Sequence, residues 1–265
     1  MRDDFAHRYG PFALVTGASS GIGAEFARQL AALGLSVIVC ARRKDRLDTL
    51  CAEIRARHGV EALALESDLA RADFLAPLQA AIGDRDVGLL VNNAGFGDKG
   101  PFFESDLAMQ LRMLDTNCRA PLILTHAFGP KLLARGRGGI VFTSSTAAFQ
   151  GLPFSSHYAA TKGYELQLAE GLWYELRGRG IDVLALCPGP TDTEGPRRTG
   201  VQADKVPVKP MAVGPVVAAA LAALGGGPSV IPGWTNRALY LASKVLPRRV
   251  SAELAGRIVL RVTRT

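Results

Sequence analysis

Seven short apolar runs recur along the chain, at 12–16, 36–40, 62–65, 88–91, 139–144, 182–187 and 229–231, and most are continuously apolar rather than alternating. A strand with one wet face alternates, whereas a strand covered on both faces does not. Helical periodicity fills the intervals at 23–33, 44–57, 70–81, 106–135, 156–177 and 213–224, with Pro121 and Pro130 expected to interrupt the fourth. Strand, helix and strand repeated in this way imply right-handed crossovers. The expected fold class is therefore α/β, a doubly wound parallel sheet of about seven strands with helices on both faces. The 265 residues suffice for one such core. No short repeat or linker divides them, so residues 1–234 read as one catalytic-type domain and 235–265 as a basic helical extension. The 190–212 segment, rich in Pro, Gly, Thr and charge, is long for a connection and reads as a lid.

Between the first strand and the first helix lies Thr16-Gly17-Ala18-Ser19-Ser20-Gly21-Ile22-Gly23. Glycines there permit a tight turn, admit a pyrophosphate to the backbone, and let the helix start close to the strand. The free N–H groups and dipole of the helix N-terminus then favour the phosphates. The spacing is Gly-x-x-x-Gly-x-Gly. Ala24-Glu25 follows where a nucleoside-triphosphate loop would need Lys and Ser or Thr, which excludes that class.

Farther along stand Asn92-Asn93-Ala94-Gly95 after the fourth run, Asn117 in the long helix, Ser145 ending the fifth run, Tyr158-x-x-x-Lys162, and Pro188-Gly189-Pro190-Thr191-Asp192-Thr193 after the sixth. Tyr158 and Lys162 fall one turn apart on one helix face, roughly 6 Å along the axis. A phenol titrates near ~10 in water, and a neighbouring ammonium favours its ionised form. Tyr158 can then give a proton to a carbonyl oxygen, or take one from an alcohol, while a serine hydroxyl steadies the same oxygen.

Taken together, and at this spacing over roughly 12–193, these motifs resemble the short-chain dehydrogenase/reductase family. The resemblance implies a Rossmann-like fold and hydride transfer between a nicotinamide cofactor and a small-molecule carbonyl or alcohol. It implies Asn117, Ser145, Tyr158 and Lys162 as catalytic residues, with Asn117 holding a water that links Lys162 to solvent and Lys162 also holding the nicotinamide ribose. Cofactor contacts are implied for Gly17, Ser19, Ser20, Gly21, Ile22 and Gly23 in the turn, and for Asp68 and Leu69 at the adenine. Asn93, Ala94 and Gly95 would flank the adenine ribose, and Pro188, Gly189, Thr191 and Thr193 would meet the nicotinamide. Ser144 rivals Ser145, Asp68 could be a helix cap, either threonine could belong to an ordinary turn, and His157 reads as a helix-start residue. The second strand ends Val39-Cys40-Ala41-Arg42-Arg43. Ala41 stands where an acid would read a ribose 2′-hydroxyl, and Arg42 can pair with a 2′-phosphate, so NADP(H) is expected over NAD(H). Arg43 is either a helper or a solvated residue.

Phe96, Phe149, Leu152 and Phe154 suggest an apolar substrate pocket, or else loops that simply pack. The family's long helices suggest a homodimer or homotetramer, with Leu166, Leu168, Leu172, Trp173 and Leu176 as apolar positions on the second of them.

Charge sharpens the reading. The net charge is +7, and residues 235–265 carry seven basic side chains against Glu253 alone, so six of those charges sit in the tail. The tail lacks a nucleic-acid recognition motif, and no nucleic-acid partner is expected. Its stripes at Ala238, Leu239, Leu241, Ala242, Val245 and Leu246, and at Leu254, Ile258 and Val259, fit either packing on the fold or peripheral contact with an anionic membrane. Cys40, Cys51, Cys118 and Cys187 and the four histidines are scattered, so no metal site and no disulfide are expected. The first residues lack an apolar signal segment, and the expected location is cytoplasmic. The alternative from another class is a catalytically inactive dinucleotide-binding regulator. Such proteins lose the Tyr or Lys that this chain retains.

Overall fold

The computed structural model describes residues 2–195 and 208–263. Strands β1 (Phe12–Thr16), β2 (Ser36–Ala41), β3 (Ala62–Glu66), β4 (Val87–Asn92), β5 (Gly138–Thr143), β6 (Ile181–Leu186) and β7 (Ser229–Val230) form one parallel sheet in the order β3-β2-β1-β4-β5-β6-β7. The continuous apolar runs are explained by two cores, one on each face. Ala13, Val15, Val37, Val39 and Val91 pack under α2 (Gly21–Ala32), α3 (Lys44–His58) and α8 (Val213–Ala223). Leu14, Ile38, Leu90, Ile140 and Phe142 face the other way, toward α4 (Leu75–Ile82), α6 (Ala120–Arg135) and α7 (Ser156–Leu176). Successive strand residues point to opposite faces, so both sets must be apolar. Strand order reverses between β1 and β4, and the carboxyl ends of the strands there form the crevice in which such sheets bind ligands.

Several boundaries differ from the sequence expectation. The helix expected from residue 70 starts at Leu75, because Asp68 turns the chain first: Ala70 N donates to its Oδ1 at 3.1 Å and Arg71 N to its carbonyl at 3.0 Å. The long helix expected over 106–135 is not broken at its prolines. It runs as α5 (Leu107–Leu114), a π-helical segment (Asp115–Arg119) and α6. Pro121 follows directly on the π-helical segment, and Pro130 lies inside α6. An amino-terminal helix, α1 (Arg2–Tyr9), is too polar to show apolar periodicity. It is anchored by the Tyr9 hydroxyl, which donates to Asp182 at 2.6 Å.

The tail forms α9 (Trp234–Val245) and α10 (Arg248–Thr263). The lid segment lies partly outside the described residues. Its two ends are joined where Asp192 N donates to the Met211 carbonyl at 2.9 Å and Met211 N to that of Pro190 at 2.9 Å. The four cysteines are buried free thiols, and no group of metal-ligating side chains occurs among the described residues.

Candidate active site

The glycine turn is held against the end of β4. Gly17 and Gly21 take positive φ, 66° and 57°, which a side chain resists. A Cβ on Gly23 would lie 2.4 Å from Asn93 Nδ2 and 2.5 Å from the Gly17 carbonyl oxygen, so only glycine fits. Thr16 is the hub. Its hydroxyl donates to the Val91 carbonyl at 3.2 Å and accepts the backbone N–H groups of Asn93 and Ala94, each at 3.0 Å. Asn93 Nδ2 returns a bond to the Thr16 carbonyl at 2.9 Å. Its side chain is therefore spent on joining the central strands.

The basic pair after β2 divides unevenly. Arg42 is exposed. Arg43 folds over the turn, donating to Ser19 at 2.9 Å and Ser20 at 2.8 Å, and its remaining nitrogen donates to Glu194 at 2.8 Å. Arg46 grips the other oxygen of the same carboxylate. The bonds from Arg46 and Arg43 hold the Glu194 carboxyl down at about 2. Arg43 and Arg46 thus share the Glu194 carboxylate, and Arg43 is bonded to the turn rather than solvated. A phosphate-bearing ligand fits such a cradle.

Asp68 faces Arg112 of α5, which donates to its Oδ2. Burial raises its carboxyl, but Arg112 and the Ala70 N–H outweigh that and leave it below the usual value. Leu69 is buried in the core, and Asp68 caps a turn rather than a helix. Thr193 sits on the turn, with its Cγ2 3.1 Å from where a Gly21 Cβ would be. Thr191 is buried and donates to the Gly189 carbonyl at 2.9 Å, while the Pro188 carbonyl accepts Thr146 N at 2.9 Å.

The catalytic-type residues converge on α7. The ring of Tyr158 lies over Gly97, where a Cβ would come within 2.9 Å of it, and the Lys162 ammonium lies 5.9 Å from the ring centroid. Lys162 is buried, and donates to the Thr143 carbonyl at 2.8 Å and to Glu165 at 2.7 Å. Burial pulls its ammonium down, but Glu165 and Tyr158 more than offset this and leave it above its ordinary value. The two serines separate cleanly. Ser144 is buried and its hydroxyl donates to the Lys162 carbonyl at 2.7 Å, whereas Ser145 is partly exposed and accepts Ala147 N at 3.1 Å, with no acceptor for its own proton among the described residues.

The Asn117 side chain is fully engaged. Its Oδ1 accepts Phe96 N at 3.1 Å, and its Nδ2 donates to the Phe96 carbonyl at 2.9 Å and to Thr161 at 3.0 Å. The side chain staples the loop after β4 to α7. Asn117 lies in the π-helical segment, where the widened turn leaves backbone groups outside the usual ladder.

A shallow cleft opens beside Tyr158, lined by Asp98, Lys99, Phe102, Gln110, Phe154 and His157 among others. The lining of this cleft is amphipathic. Of the four apolar residues proposed for it, Phe154 lines the cleft, whereas Phe149 packs on Tyr240 of α9 with ring centroids 4.2 Å apart. His157 Nε2 lies 3.0 Å from the Gln110 carbonyl, a contact that requires its proton. Burial lowers the Lys99 ammonium below its ordinary value.

The tail roofs this region. Asn236 is buried, donating to the Pro232 carbonyl at 2.9 Å, and a Cβ on Gly189 would lie 2.3 Å from its Oδ1. Ser251 bonds Gln150, and Ala255 and Val259 of α10 are buried. The expected stripe on α9 faces outward instead: Leu239, Leu241 and Val245 are exposed, and Trp234 is 80% exposed. Asn236 and Tyr240 make the inward contacts. Sequence reading does not single out Thr16, Glu165 or Asn236. The signal for Glu165 is a carboxylate three residues after Lys162, at a spacing that shares the lysine's face.

A model of the short chain dehydrogenase family matches residues 11–202. The chain is 33% identical over 190 residues to 7beta-hydroxysteroid dehydrogenase of Clostridium sardiniense, covering 72% of this chain and 73% of that protein. It is 31% identical over 190 residues to inactive hydroxysteroid dehydrogenase-like protein 1 of Rattus norvegicus, covering 71% of this chain and 58% of that longer protein. Among solved structures, a short-chain dehydrogenase from Sphingobium yanoikuyae in complex with NADPH superposes with a TM-score of 0.79 at 34% identity, over 89% of this chain and 93% of that one.

Proposed function

Because the chain belongs to the short-chain dehydrogenase family, we propose that it is an NADP(H)-dependent oxidoreductase acting on a carbonyl or alcohol with Tyr158 as general acid and base. The observation that carries this reading is the Tyr158–Lys162 pair, a phenol at a cleft mouth with a buried ammonium 5.9 Å from its ring centre. Bound nicotinamide would supply or accept the hydride. Lys162 has three N–H donors, of which Thr143 and Glu165 take two, leaving one for a ribose hydroxyl. Tyr158 would protonate the carbonyl oxygen, Ser145 would donate to the same oxygen, and the Lys162 charge would steady the phenolate left behind. The Gly17–Gly23 turn would hold the pyrophosphate, and Arg43 with Arg46, aided by Arg42, the 2′-phosphate. The amphipathic cleft suits a substrate with an apolar body and a polar end. A panel of such carbonyls and alcohols, followed by nicotinamide absorbance, tests the reading. Absence of turnover with every member would favour the regulator alternative, which the relative described as inactive keeps in view.

Self-association is part of this proposal. Phe103 is 98% exposed, Leu107 70% and Leu111 52%, and Leu114 and Leu122 continue the patch along α5 and α6. Apolar exposure of this extent marks an interaction surface. By contrast, Leu166 of α7 is buried against the sheet, and Leu168, Leu172, Trp173 and Leu176 pack on the same core. Light scattering at micromolar concentration should give at least a dimer mass, and Leu107→Glu with Leu111→Glu should lower it to the monomer. A wild-type monomer would remove the idea.

We further propose that the outward stripe of α9, with exposed Lys244, Arg248 and Arg249 beside it in sequence, makes reversible contact with an anionic surface. No described helix is long and apolar enough to cross a membrane. Each basic group near such a surface contributes about 1 kcal/mol. The full chain should pellet with phosphatidylserine vesicles and not with neutral ones, and Leu241→Glu with Val245→Glu should abolish pelleting. Failure of the wild type to pellet would leave α9 as a roof only.

A further inference from the structure

Glu165 is buried, and its Oε2 receives the Lys162 ammonium at 2.7 Å. Its other oxygen, Oε1, is buried with no hydrogen-bond partner among the described residues. An ionised carboxylate seeks several donors, and this one has a single donor, the ammonium that the proposed chemistry also needs. The cost of burying a half-satisfied charge is large, and such a group meets it by taking up a proton.

We propose that Glu165 is a positioning residue whose charge state sets how strongly Lys162 acts on Tyr158. When ionised, Glu165 compensates the ammonium and holds it between the Thr143 carbonyl and α7. When protonated, it leaves the Lys162 charge uncompensated before the phenol, and the phenolate is favoured. Tyr158, Lys162 and Glu165 share one face of α7, so the two outer groups are about 10 Å apart along the axis with the ammonium between them.

The surroundings leave this pair in control. Facing it from the π-helical segment is Cys118 and from the end of β6 is Cys187, both thiols pushed by burial up to about 12 and therefore neutral. On α7 itself the facing groups are Tyr158 and Lys162, and Glu170 lies farther along toward Cys187. Burial pushes the Glu165 carboxyl up to about 7, with the Lys162 ammonium opposing that rise. Lys162 stays charged, and Glu165 is the member of the pair that titrates near neutrality.

The catalytic consequence rests on the Tyr158 reading above, but the test does not. In the protein without cofactor or substrate, the tyrosinate absorbance of the parent minus that of Tyr158→Phe reports the titration of this one phenol. Glu165→Gln keeps an acceptor for Lys162 and removes the charge. It should lower the proton affinity of Tyr158 roughly tenfold, as expected for deleting a unit charge at that range. An unchanged titration in a folded Glu165→Gln protein would overturn the proposal, whether or not any substrate is turned over. Carbon-13 carboxyl-labelled glutamate in the wild type gives a second measurement that needs no variant. A carboxyl titrating near neutrality is expected, and its absence would overturn the proposal equally. Stability follows with a definite sign. The folded protein binds this proton more tightly than the unfolded chain, so wild-type stability relative to Glu165→Gln should fall as pH rises from the ordinary carboxylate range through about 7.

Discussion

Replacing Tyr158 with phenylalanine should lower turnover about a hundred- to ten-thousand-fold on any substrate found in the panel. The corresponding loss of transition-state stabilisation is about 3–5 kcal/mol. In the proposed reaction the phenol at the cleft mouth donates the proton, and its ring packs on Gly97. Phenylalanine keeps that packing and loses only the hydroxyl. Binding of NADPH should therefore stay within about threefold of wild type, because the turn and Lys162 are untouched. Fluorescence titration of NADPH and steady-state rates on the same preparation separate the two effects. Wild-type turnover by the variant would refute the assignment, and lost cofactor binding would point to a structural role for the ring.

NADPH should bind more tightly than NADH, and Arg43→Ala should weaken NADPH about 10- to 100-fold while changing NADH little. A hydrogen bond to a charged group is worth about 1.5–3 kcal/mol, which gives that range. Arg43 is preferred over Arg42 for the larger effect because its guanidinium is already fixed by Ser19 and Ser20, whereas Arg42 is exposed and must be ordered. The anion held there by Arg43 and Arg46 is the Glu194 carboxylate. In this proposal Glu194 is the group a phosphate would displace. The NADPH preference should also shrink with added salt, as exposed charges are screened. Tighter binding of NADH in isothermal titration would refute the preference outright.

The seven apolar runs determined the doubly wound sheet, because only strands buried on both faces need continuous apolar sequence, and six of the helices between them followed from periodicity. The glycine turn, Tyr158 and Lys162 were legible for a related reason: each depends on local geometry, a positive φ or a one-turn spacing, that sequence separation encodes directly. What depended on neighbours distant in the chain was not legible. The amphipathic character of the cleft arises because Asp98, Lys99 and Gln110 come from two segments that meet only in the folded molecule. Periodicity shows that α9 has an apolar stripe, yet packing turns Asn236 and Tyr240 inward and that stripe out, since the gap beside Gly189 accepts a small polar side chain. Motif spacing already favours Ser145 over Ser144, and the fold adds that Ser144 bonds the Lys162 carbonyl and that Arg43, not Arg42, bonds the turn. Adjacent residues carry identical chemistry in sequence, and only tertiary contacts decide which of the two is spent on structure and which is left for a ligand.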